Sequence, residues 1–217
     1  MTTVRGKPRL QLPQLLVITD RHQARHPLEV IADAVGRGGG RWLLLRDKDL
    51  ERGERLRLAV RLAAIAKQYG MWFSVSTDLE LAAAVEASGL HLQSAAAVGA
   101  ARALLGVDAV IGVSAHNMAE VEAAAAVHAD YATLSPIFTT ASKPRYGPAH
   151  GVEALAEAAK CGIPILALGG ITAPTATPCL AAGASGIAVM GEVMRAEDPM
   201  CTVRALWRAC SCAATIA

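Results

Sequence analysis

The chemistry available to this chain lies in a few short groups of residues. Arg46 and Lys48 stand two apart in Leu44-Leu-Arg-Asp-Lys48. On an extended backbone that spacing turns both side chains the same way, where they could grip an anion. With Asp47 between them, the same triplet also reads as a solvated charged loop. His116 closes the run Gly112-Val-Ser-Ala-His116. An imidazole at a strand end can take and give a proton near neutral pH, or it can cap the helix that follows. The loop from Pro136 to Pro144 carries Thr140, Ser142 and Lys143. Its hydroxyls and ammonium suit a carboxylate or a second phosphate, although Ser, Thr and Pro are also ordinary in surface connections. Gly169-Gly170 and Met190-Gly191 each follow a short apolar run. Turns without side chains let backbone N–H groups come close to an anion. Taken together, these groups point to a small phosphorylated molecule.

Residues so far apart in sequence need a scaffold that gathers strand ends. Strand-like apolar runs are expected at Leu15–Thr19, Trp42–Arg46, Trp72–Ser76, Leu90–Leu92, Val110–Ser114, Tyr131–Ser135, Ile163–Leu168 and Gly186–Met190. Helical patterns fall between them, near Pro27–Gly36, Glu51–Tyr69, Leu79–Ser88, Val98–Leu104, Met118–His128, Val152–Cys161 and Pro174–Ala182, with a last helix over Pro199–Ala209. Continuous apolar strands alternating with helices imply a parallel sheet buried on both faces. Eight such units predict a single (β/α)8 TIM barrel, and the chain is long enough for one sizeable core. An open flavodoxin-like or Rossmann sheet is the runner-up, but no GxGxxG follows the first strand. In a barrel each of these candidate groups sits at a C-terminal strand end, and the turns after strands seven and eight are the usual phosphate site. The barrel is expected over 13–209, with an N-terminal arm over 1–12 and a C-terminal tail over 210–217.

A formal net charge of +2 gives no argument for nucleic acid or a membrane surface as partner. The basic first nine residues precede no long apolar segment, which argues against a secretory signal. Five cysteines without paired spacing fit a reduced, cytoplasmic setting and make zinc unexpected. Exposed barrel faces often pair, so a homodimer is compatible with the sequence.

The ordered set of motifs resembles the thiamine phosphate synthase/TenI family. The resemblance rests on Val17-Ile-Thr-Asp20, Leu45-Arg-Asp-Lys48, Gly89-Leu-His-Leu92, Ile111-Gly-Val-Ser-Ala-His116, Ala129-Asp-Tyr131, Ser135-Pro-Ile-Phe138, Ala167-Leu-Gly-Gly-Ile171 and Gly183-Ala-Ser-Gly-Ile187. It implies a TIM barrel, a role in thiamine biosynthesis and a thiazole phosphate as ligand. Within the family, the synthases join a pyrimidine diphosphate to a thiazole phosphate, with magnesium neutralising the departing pyrophosphate. Their pattern after the third strand is Asn-Asp, where this chain has Ser76-Thr77; Asp78 would serve only after a one-residue slip. The aspartate expected after the fourth strand is replaced by Ala96, and the Gln that opens Gln-x-Arg-x-Lys is Leu44.

These departures favour the TenI branch, a thiazole tautomerase that moves a proton and requires no metal. On that expectation His116 is the general acid/base, and Gly169, Gly170, Met190 and Gly191 hold the phosphate. Thr140 and Ser142 bind a carboxylate, while Arg46, Lys48 and Lys143 supply positive field. No cofactor is expected, magnesium entering only if the chain is a synthase. The alternatives are that synthase, a non-catalytic thiamine- or thiazole-phosphate-binding regulator, and another phosphate-binding barrel.

Overall fold

The structure, a computed structural model, describes residues 11–140 and 149–213. Eight parallel strands close into one barrel in chain order. They are β1 (Leu15–Ile18), β2 (Trp42–Leu45), β3 (Trp72–Ser76), β4 (Gly89–Leu92), β5 (Val110–Ala115), β6 (Tyr131–Leu134), β7 (Ile165–Leu168) and β8 (Gly186–Val189). Around them run α1 (Leu28–Arg37), α2 (Arg52–Gln68), α3 (Leu79–Ala84), α4 (Val98–Leu105), α5 (Met118–Ala126), α6 (Gly151–Ala158) and α7 (Ala173–Ala181). A four-residue α8 (Gly191–Met194) precedes α9 (Pro199–Ala213). Pairing of Leu15 with Ile187 and of Val17 with Val189 joins β1 to β8 and closes the ring. The single (β/α)8 barrel expected from the sequence is therefore the fold.

The apolar strands follow from burial on both faces. Leu16, Ile18, Trp42, Leu44, Tyr131 and Leu166 fill the barrel interior, while their neighbours Leu15, Val17, Leu43, Leu45 and Ile165 pack under the helices. The helices answer with apolar stripes: α1 buries Leu28, Ile31, Ala32 and Val35, at the spacing of one helical face. Among the described residues no helix is long and apolar enough to cross a membrane.

Several boundaries differ from expectation for local reasons. α3 stops at Ala84 because Glu86 takes a left-handed φ of 48°. α5 likewise ends before His128, whose φ is 57°. β7 begins at Ile165, after Pro164, which has no N–H to give to the ladder. The last helix continues past Ala209 to Ala213 and buries Cys210.

The interior also holds polar groups tied into a network. The Trp42 indole N–H donates to Ser74 Oγ at 2.9 Å, and its ring meets Tyr131 edge-on at 4.9 Å. Tyr131 fits because Gly112 faces it: a Cβ there would overlap the Tyr131 ring. His91, almost fully buried, stands 3.0 Å from the Tyr131 hydroxyl through Nδ1 and 2.9 Å from Ser114 Oγ through Nε2. A neutral imidazole has one N–H and one lone pair, so it donates one of these bonds and accepts the other. Burial, assisted by the charge of Lys48, depresses the His91 pKa to about 3.

A pH dependence follows. The unfolded histidine titrates near pH 6.5, so below that pH the unfolded chain binds a proton that the native ring refuses. The His91 contribution should make stability fall from about pH 6.5 towards pH 3, with a slope of up to about 1.4 kcal/mol per pH unit. Denaturant unfolding at stepped pH should show this component in the native protein and not in His91→Gln.

Candidate active site

A cavity of about 300 Å³ opens at the C-terminal ends of β1, β2, β6, β7 and β8. It brings together Arg46, Thr140, Gly169, Gly170, Met190 and Gly191, all of them candidates from the sequence. Its wall is made of backbone. Gly169 and Gly170 have φ of 97° and 67°, a left-handed region that favours glycine. A Cβ on Gly169 would lie 2.8 Å from Pro136 Cα, and one on Gly170 would lie 2.6 Å from the Thr139 carbonyl oxygen. The turn after β7 thus lies directly against the loop after β6. Two hydrogen bonds fasten them: Ile137 N–H donates to Leu168 O at 2.9 Å, and Phe138 N–H donates to Gly169 O at 3.0 Å. Beyond the turn, Thr172 and Thr175 cap α7 reciprocally and fix where the chain leaves.

Arg46 enters from the opposite wall. It is positioned by the buried carboxylate of Asp47, which accepts from Thr19 Oγ1 at 2.6 Å and from Arg21 N–H at 2.7 Å. Thr19 Oγ1 accepts in turn from Arg46 N–H at 3.0 Å. Asp47 therefore ties the ends of β1 and β2 together and is not a charge offered to solvent, as a solvated loop would have it. Lys48 is different. β2 ends at Leu45 and Lys48 sits on an exposed turn, so the two cations do not share one face of an extended strand, and Lys48 does not line the cavity.

His116 stands behind the wall. Its Nδ1 lies 3.0 Å from Ser135 O and 3.2 Å from Ser135 Oγ, and Ser135 lines the cavity while His116 does not. The helix after β5 is capped by Asn117, whose side chain accepts from Glu120 N–H, so His116 does not have the capping role. Ser142 and Lys143 lie outside the described residues. Of the polar residues that line the cavity, Ser135, Thr139, Thr172, Glu192 and Arg195 are not among the candidates from the sequence. In sequence Ser135 ends an expected strand and opens the Ser135-Pro-Ile-Phe138 motif, with no role of its own assigned. Arg195 reaches the site because the single turn of α8 returns it beside Gly191, and nothing in the sequence marks so short a helix.

The carboxylates near the mouth are committed elsewhere. Asp20 accepts from His22 N–H and Gln23 Nε2, and Arg21 grips Asp49 with both Nη atoms, at 2.6 and 2.7 Å. That grip, with His22, holds Asp49 well below the usual carboxylate range. Asp78 caps α3 through Leu81 N–H at 2.9 Å and pairs with buried Arg55 at 3.1 Å. Its carboxylate is therefore engaged by the end of α3 and by Arg55. Ser76, Thr77 and Ala96 fill the remaining places where the resemblance puts metal ligands. Among the described residues no group of three or more His, Cys, Asp or Glu side chains could hold a metal ion. Ser76, Thr77 and Ala96 thus bring no carboxylate to the places where the resemblance puts one.

A family model described as thiamine monophosphate synthase matches residues 15–193. The chain belongs to the thiamine monophosphate synthase family. A thiamine-phosphate synthase of Chlorobium luteolum is 39% identical over 89% of this chain and 91% of its own length. One from Bacillus velezensis is 36% identical over 87% of this chain and 86% of its own. Among solved structures, thiamine phosphate pyrophosphorylase from Pyrococcus furiosus superposes with a TM-score of 0.82 at 27% identity, covering 92% of this chain and 96% of that one.

These relatives overturn the thiazole tautomerase expected from the sequence, because those matched over most of the chain carry the synthase name. The correction has a physical reason. Missing metal ligands do not amount to a missing reaction in a chain whose likeness to synthases spans most of its length.

The glycine turn yields a direct prediction. Gly170→Ala forces a Cβ into the Thr139 carbonyl at a left-handed φ, which should cost about 1–3 kcal/mol. Thermal and denaturant unfolding should each show the loss. Unchanged values in both would mean that the turn is not a fixed wall.

Proposed function

We propose that this chain joins a pyrimidine diphosphate to a thiazole phosphate and releases pyrophosphate. The observation that carries the reading is its likeness to thiamine-phosphate synthases over nearly the whole chain, at 39% identity in Chlorobium luteolum. The cavity supports it with the glycine turn after β7, the Met190-Gly191 turn at β8 and a cation on the facing wall.

The reaction is a displacement. The thiazole ring nitrogen forms a bond to the pyrimidine's exocyclic carbon as that carbon's bond to the diphosphate oxygen breaks, and the electron pair leaves with the oxygen. No proton passes between the rings, so the protein supplies alignment and positive charge. Gly169, Gly170, Met190 and Gly191 hold the thiazole phosphate, and Thr140 offers it a hydroxyl. Arg46 faces both this cavity and its neighbour over β1 and β2, where charge on a leaving diphosphate can be met. His116 becomes a positioning residue that holds Ser135 in the wall. No step is assigned to a metal.

Purified protein incubated with both substrates and magnesium should form thiamine phosphate and one pyrophosphate per turnover. His116→Ala should lower kcat/KM by about 10–100-fold through misplacement without moving the pH profile. Absence of thiamine phosphate in the native protein would overturn the reading. A shifted pH profile in His116→Ala would return the imidazole to acid–base work.

A further inference from the structure

Arg195 has no counterpart among the residues that the sequence singles out, yet it occupies a specific place. It follows α8, and its backbone N–H donates to Gly191 O at 3.0 Å, one helical turn back. Its guanidinium folds over that residue: a Cβ on Gly191 would lie 2.6 Å from Cζ and closer still to Nη1. The arginine tip thus lies in the space beside Gly191 that a side chain there would occupy. From the other side, Arg195 Nη1 donates to the Gln23 side-chain oxygen, which draws the guanidinium from β8 towards the loop after β1.

The charge around the cavity gives this placement a consequence. The cationic side chains that line it among the described residues are Arg46 and Arg195, against one carboxylate, Glu192. Both arginines also face the neighbouring cavity over β1 and β2, but Arg46 comes from the β2 side, whereas the Arg195 guanidinium lies against the Met190-Gly191 turn. Backbone amides can cradle an anion, and a planar fork of five N–H donors beside them adds charge-assisted bonds to a phosphate oxygen. We propose that Arg195 is a substrate-binding residue for the phosphate of the thiazole, and that it sets the preference for the phosphorylated thiazole over the free alcohol. The identity of the substrate rests on the coupling reading; the phosphate assignment rests on the geometry of Arg195, Gly191 and the cavity.

The test compares native protein with Arg195→Gln and Arg195→Lys. In steady-state coupling, Arg195→Gln should raise KM for thiazole phosphate about 10–100-fold, the loss expected for one charge-assisted contact. KM for the pyrimidine diphosphate should stay within about twofold, and the preference for phosphorylated over unphosphorylated thiazole should shrink by a similar factor. Arg195→Lys should recover part of both. Equal changes in the two KM values, or an undiminished phosphate preference, would overturn the assignment. Inorganic phosphate binding, followed by calorimetry, separates this from the coupling reading. Weaker phosphate binding in Arg195→Gln, with no thiamine phosphate formed by either protein, keeps the assignment and removes the reading. Unchanged phosphate binding, with an active native enzyme, removes the assignment and keeps the reading.

Discussion

The site depends on a contact between two backbones. The loop after β6 rests on the glycine turn after β7, with Gly169 and Gly170 so close to Pro136 and Thr139 that no side chain fits between. Hydrogen bonds from Ile137 and Phe138 hold the two segments in register. This packing creates the cavity wall, places Thr140 on its rim and puts Ser135, which His116 contacts, at its base. It also explains why the wall needs no charged side chain of its own: left-handed glycines bring peptide groups to the surface that other residues would cover. On the facing side, Asp47 does the corresponding work by tying Thr19 and Arg21 together beneath Arg46.

Much of the fold is legible in the sequence because its signals are periodic and local. Runs such as Trp42–Leu45 and Ile165–Leu168 are apolar without alternation, as strands covered on both faces must be, and their number and spacing lead to the barrel. The barrel in turn makes strand ends meaningful, so the sequence alone points to Arg46, Thr140 and both glycine turns. What stays hidden depends on tertiary geometry. Arg46 and Lys48 look equivalent two residues apart, but the strand ends at Leu45 and buried Asp47 sets their directions. Arg195 lies in an ordinary polar stretch until one helical turn folds it onto Gly191. His91 reads as a strand residue, and only closure of the barrel shows it as a neutral ring between Tyr131 and Ser114.

The carboxylates at the mouth carry a separate lesson. Counting acidic residues near strand ends would give Asp20, Asp47, Asp49 and Asp78, enough to suggest a metal site. Each is engaged by a cap, a loop tie or an arginine, and Asp78 in particular is divided between α3 and Arg55. The chain meets its family's pattern most fully on the β6–β7–β8 side of the barrel and departs from it at Ser76, Thr77 and Ala96. Function is therefore better read from the intact half of the site than from what the other half lacks, and the positive charge of Arg46 and Arg195 stands near the boundary between the two.

The most direct measurement is a crystal structure of the full chain with thiamine phosphate bound. The account predicts the phosphate within hydrogen-bond distance of the Gly169-Gly170 and Met190-Gly191 backbone, with the two rings directed across the cavity towards Arg46. Thiamine phosphate bound with its phosphate away from these turns, or absent from this cavity at saturating concentration, would contradict it.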